Sequence, residues 1–159
     1  MKRKSFILST LAAVSLPALP SLAGISDRPK KGFKVEAGKS RFNDSITTDP
    51  GNPGGVHDGK VSGKDTEGDL YIFEASRKTK GGPDRHRHAA SDEWFYILEG
   101  EYVFKAGDEE LHLKAGDSIF VPRTIYHQFA LVSEEPGKMI GIIQPVGRME
   151  TFFHERSKT

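Results

Sequence analysis

Cysteine is absent from all 159 residues. That absence removes disulfide staples, zinc-thiolate sites and thiol nucleophiles together. A surplus of positive charge is also missing: 23 Lys and Arg stand against 22 Asp and Glu, a formal +1. Nothing is left over to neutralise a phosphate backbone, so a nucleic-acid binder is not expected. Beyond the amino terminus no apolar run nears the roughly 20 residues that cross a bilayer. What is present is 36% hydrophobic and 28% charged residues, which fits neither a disordered chain nor a membrane bundle. The length gives room for one domain with a real core and none for two. Seventeen Gly and nine Pro imply many turns, hence short strands more than long helices.

Residues 1–23 have the three-part pattern of a secretory signal peptide. Lys2, Arg3 and Lys4 precede an uncharged apolar stretch from Ser5 to Leu16, and Pro17, Pro20 and Ser21-Leu22-Ala23 follow. Small residues at 21 and 23 favour cleavage after Ala23. An uncleaved anchor is the rival reading, disfavoured by two prolines and four serines between Ser5 and Ala23. Arg3-Lys4-Ser5-Phe6-Ile7 also looks like a weakened twin-arginine signal. The expectation is an exported protein, periplasmic or secreted, with no stable membrane insertion after cleavage. Losing Lys2, Arg3 and Lys4 turns the formal +1 into −2, which weakens any nucleic-acid reading further.

Residues 24–55 read as a polar amino-terminal arm, ending in the loop Asp49-Pro50-Gly51-Asn52-Pro53-Gly54-Gly55. From residue 56 short apolar runs alternate with turn residues, and residues 56–159 are expected to form the domain. Strands are expected over 56–62, 69–76, 85–88, 93–98, 101–105, 110–114, 118–121, 126–132 and 139–144, joined through turns such as Glu99-Gly100 and Gly116-Asp117. Strands this short and numerous favour an antiparallel barrel or jelly roll over a parallel sheet. Met149, Phe152 and Phe153, at i, i+3 and i+4, predict a short carboxy-terminal helix.

The chemistry concentrates on one constellation. His86 and His88 are two apart on an expected strand, so both imidazoles face one side while Arg85 and Arg87 face the other. If the chain turns through residues 89–92, Glu93 returns beside them. His127, opening a later strand, supplies a third imidazole. Three His and one Glu form a mixed nitrogen and oxygen set that suits a first-row divalent metal such as Mn, Fe, Co, Ni or Cu. His57, His112 and His154 are set outside the site. His112 alternates with Leu111 and Leu113 and faces solvent; the other two lie in polar surroundings.

These residues resemble a known family. The run His86-x-His88, four residues, Glu93, six residues, Gly100 is similar to the first cupin motif. Gly116, five residues, Pro122, then His127 is similar to most of the second. The resemblance spans about residues 69–145 and implies an all-β, cupin-type jelly-roll barrel with a short carboxy-terminal helix. It also implies a divalent transition metal (Mn, Fe, Ni or Cu) held inside by His86, His88, Glu93 and His127. The second motif usually has Gly where this chain has Thr124. It often has Asn where this chain has Leu131, which lowers the expectation of a small dicarboxylate substrate.

Phe95 and Ile97 share parity with Glu93, and Phe129 and Leu131 share parity with His127. All four are expected to line an apolar substrate pocket around the metal, or simply to fill the barrel. Trp94, Tyr96 and Leu98 form a second apolar face, which suggests sheet packing or a homodimer contact. The leading functional expectation is a metal-dependent dioxygenase of the quercetinase type, acting on a small organic, enolisable substrate, with Glu93 both ligand and base. A non-redox metal-dependent isomerase of a sugar or keto acid and a non-enzymatic small-molecule binding module are the alternatives.

Overall fold

The computed structural model describes residues 28–42, 45–47 and 55–156. The signal-peptide segment 1–23 lies outside the described residues. Among the described residues nine strands are formed: β1 Ile46–Thr47, β2 Gly55–Val61, β3 Tyr71–Arg77, β4 Asp92–Glu99, β5 Glu101–Ala106, β6 Glu109–Lys114, β7 Ser118–Val121, β8 His127–Leu131 and β9 Gly137–Gln144. Helix α1 spans Met149–Arg156. The strands build two antiparallel sheets, one ordered β1-β2-β3-β9-β4-β7 and the other β6-β5-β8. This is a jelly roll, as expected. Part of the arm is ordered as well: Ile46 pairs with His57 and is itself buried.

Alternation decides which side chains enter the barrel. On β3 the inward set is Tyr71, Phe73, Ala75 and Arg77; on β4 it is Glu93, Phe95 and Ile97. Strand β9 lies between them, so Tyr71, Ile143 and Glu93 share one row across the sheet, and Phe73, Gly141 and Phe95 share the next. Gly141 is needed there because a Cβ would strike the Phe73 ring, which lies over it. Phe73 meets Phe95 edge-on with centroids 6.4 Å apart. Phe95 in turn packs on Phe104 and Phe129 from the opposite sheet, so aromatic contacts tie the two layers together. Outside, Trp94 stacks on Tyr96, and Phe120 beside Trp94 in the register is well exposed.

One expected strand does not form. His86 makes only an isolated bridge to His127, and Gly81 another to Leu131. Between those bridges the first segment advances five residues and β8 advances four, so a continuous ladder cannot close. Pro83 within that stretch also has no N–H to donate. The backbone still alternates: Arg85 and Arg87 are exposed while His86 and His88 are half-buried. The outward guanidiniums lie over the Tyr126 ring, at 5.5 and 4.8 Å from its centroid.

Candidate metal centre

His86, His88, Glu93 and His127 are brought together by three chain segments, each held by local bonds. The bridge between His86 and His127 is closed by two backbone hydrogen bonds of 2.9 and 2.8 Å. Arg123 locks the loop before β8 to the start of β4: its backbone N–H and both ends of its guanidinium donate to Asp92, next to Glu93, at 2.6 to 3.0 Å. These bonds hold the Asp92 carboxyl at about 2. The amide of Thr124 donates to the carbonyl of His88 at 2.7 Å. Thr124 adopts φ 71° to do so, a left-handed conformation that a β-branched residue pays for in strain and that explains glycine at this point of the motif.

The ring centroids of His86 and His127 are 4.4 Å apart, those of His86 and His88 5.0 Å, and those of His88 and His127 5.4 Å. His86 Nδ1 meets the Asp84 carbonyl at 2.7 Å and His127 Nδ1 meets the Ile125 carbonyl at 3.0 Å. A carbonyl only accepts, so each Nδ1 carries a proton, and Nε2 is left as the ring nitrogen that faces the cluster. Fixing a ring through its far nitrogen is the usual way a metal-binding imidazole is oriented. One oxygen of Glu93 lies 3.3 Å from His88 Nε2 and the other 2.8 Å from His127 Nε2. Neither contact has hydrogen-bond alignment: His88 Nε2, His127 Nε2 and Glu93 Oε2 are buried without a hydrogen-bond partner.

Orphaned buried polar atoms are costly, and here three converge. One ligand atom from each of the four residues lies within 4.8 Å of all the others. Ligands about 2.1 Å from a common ion stand at most about 4.2 Å apart, so a small inward movement completes the shell. The donor set is of the right kind and charge for a first-row divalent ion and leaves positions open. Burial alone would raise the Glu93 carboxyl, but His127 and His88 beside it outweigh burial and hold it at about 2. Burial lowers His86, against the Asp84 carbonyl. For His127 burial also acts downward, yet the Glu93 carboxylate prevails and raises it.

A cavity of about 470 Å³ runs inward from this cluster. Phe95 and Phe129 line it, as expected. Ile97 and Leu131 do not; both are buried in the core away from it. The residues missed by sequence reasoning are Arg77, His57 and the α1 side chains Met149, Phe152 and Phe153, all in the cavity wall. His57 is far from polar surroundings. It packs on Phe73 at 3.7 Å and Phe153 at 4.4 Å between centroids, and burial lowers it to about 3. His112 is exposed, as expected.

A family model described as a cupin domain matches residues 73–143. Among curated proteins the chain is similar to the tetracenomycin polyketide synthase protein TcmJ of Streptomyces glaucescens, 30% identical over 61 residues, 38% of this chain and 41% of that protein. The chain spans less than half the length of the first curated relatives it matches. Among solved structures it is similar to a predicted oxalate decarboxylase from Thermotoga maritima, with TM-score 0.58 and 20% identity over 64% of this chain and 90% of that one. It is likewise similar to an RmlC-like cupin from Shewanella frigidimarina, with TM-score 0.56 and 20% identity over 72% and 96%. At such identities the likeness is one of fold.

Proposed function

We propose that this chain, a member of the cupin superfamily by its match over residues 73–143, is an exported, metal-dependent dioxygenase of a small aromatic, enolisable substrate. The observation that carries the proposal is the convergence of three unpartnered buried atoms, on His88, Glu93 and His127, at the end of an aromatic-lined cavity. A bound divalent ion of the Mn, Fe, Ni or Cu kind would be held by His86, His88, Glu93 and His127 and would supply Lewis acidity and redox capacity.

The chain's own groups do the rest. Glu93 is ionised at any ordinary pH and lines the cavity, where it accepts the proton of a substrate hydroxyl or enol. Phe95 and Phe129 offer ring faces on which a flat substrate is oriented. The same rings exclude water from the deprotonated oxygen, which strengthens its attraction to any nearby cation. Similarity to a polyketide synthase protein agrees with a small organic substrate.

The test is oxygen uptake by the metal-replete protein across a panel of flavonols and other enolisable aromatics. Uptake matched to substrate loss is expected, and turnover that continues unchanged under nitrogen contradicts the reading. Export is tested by the amino-terminal sequence of the protein from its native compartment, which should begin at Gly24.

A further inference from the structure

The far end of the cavity holds a guanidinium with no carboxylate partner among the described residues. Arg77 closes the inward row of β3 and is only 7% exposed. Its Nη1 is buried without a hydrogen-bond partner, and no carboxylate among the described residues forms an ion pair with it. The guanidinium nonetheless lines the cavity. The register places it: Glu93 shares a row with Tyr71 through Ile143, and Arg77 lies six residues beyond Tyr71, roughly 20 Å of extended backbone. The flexible Arg side chain spans part of that distance. Across the sheet Arg77 pairs with Gly137, where a Cβ would collide with the Tyr102 hydroxyl, so the missing side chain lets Tyr102 approach the same row. His57, in the neighbouring row opposite Ala75, also presents a buried, unpartnered Nε2 to the cavity.

A buried cation without a counterion destabilises a fold, so its retention calls for a ligand that supplies the anion. We propose that Arg77 is the anion anchor of the cavity, and that the substrate is a small aromatic acid whose carboxylate pairs with Arg77 while its other end faces His86, His88, Glu93 and His127. The inference rests on reading the cavity as the substrate site. The flat guanidinium fork matches a carboxylate through two parallel hydrogen bonds. A single inward cation suits one negative charge. The aromatic middle formed by Phe73, Phe95 and Phe129 suits the ring between the two ends. His57, lowered by burial and with its Nε2 unpartnered, adds no second cation to the cavity wall.

The experiment compares hydroxylated aryl carboxylates of graded length with their neutral primary amides, reading thermal shift and calorimetric affinity. The full protein is used after chelator dialysis and after reloading with Zn or Mn, beside Arg77→Met and Arg77→Lys. At least one acid is expected to bind roughly tenfold or more tightly than its amide. Arg77→Met should abolish that preference while leaving metal stoichiometry unchanged, and Arg77→Lys should keep part of it. Ligand-free Arg77→Met should melt no lower than the parent, because an unpaired buried charge has gone. Acids that never exceed their amides, or a preference that survives Arg77→Met, overturn the proposal. So does a lower melting temperature of Arg77→Met without any loss of acid preference, which marks Arg77 as structural. A protein that prefers acids through Arg77 yet takes up no metal would keep this inference and remove the metal reading; metal uptake without acid preference would do the reverse.

Discussion

The two ends of the cavity are both unsatisfied, in opposite senses. At one end a carboxylate and three imidazoles bring one possible ligand atom each within 4.8 Å of the others, and Glu93 and His127 partly compensate each other. At the other a guanidinium stands without an anion. The first end suits a cation and the second an anion. Orphaned buried groups therefore indicate the sign of the missing partner as well as its place. Phe73, Phe95 and Phe129 line the cavity between the two ends.

The largest expected effect breaks the metal end. Glu93→Gln keeps the side chain's shape and removes the anionic ligand, so metal affinity should fall on the order of 100-fold in a competition titration, with the acid preference at Arg77 intact. Next comes the wall between the ends. Gly141→Ala drives a methyl into the Phe73 ring, and overpacking of this kind should cost about 2 to 3 kcal/mol in urea unfolding.

A pH titration of stability separates the cavity wall from the metal end. His57 binds a proton at about pH 6.5 when unfolded and only at about 3 when folded, so its burial is fully compatible with folding above pH 6.5. As the pH falls from 6.5 toward 3 the unfolded chain takes the proton first and stability drops, by about 2 kcal/mol on reaching pH 5. His57→Phe should flatten that window. Glu93, also depressed, contributes stability present above about pH 4.5 and lost as the pH falls toward 2, so its loss lies at lower pH. The smallest effect sharpens the frame of the metal end: Thr124→Gly relieves the left-handed conformation at φ 71° and should stabilise by roughly 1 kcal/mol while preserving the hydrogen bond to His88.

The same contrast explains what could be read in the sequence. The metal end was legible because its four residues lie in two short stretches, 86–93 and 116–127, that resemble the paired cupin motifs. It survived a local error: residues 85–88 form no strand, yet an extended backbone alternates with or without a ladder. The Arg77 end was not legible. Its place depends on the register of β2, β3 and β9, and pairing partners far apart in sequence are not written in any local run. Alternation from Tyr71 through Phe73 and Ala75 would have turned Arg77 inward, but nothing local says that the barrel leaves it unpaired. Parity could not divide Phe95, Ile97, Phe129 and Leu131 between pocket and core for a related reason: it assigns a face, and the face includes core as well as cavity. His57 was misplaced because its neighbours in sequence are polar while its neighbours in space are Phe73 and Phe153.

The central claim is that His86, His88, Glu93 and His127 hold one divalent transition metal. Elemental mass spectrometry of the full protein, purified without chelator or metal-affinity tag, tests it beside His86→Ala/His88→Ala. The account predicts about one Mn, Fe, Ni or Cu per chain, lost in the variant. No metal in either protein, or the same content in both, would contradict it.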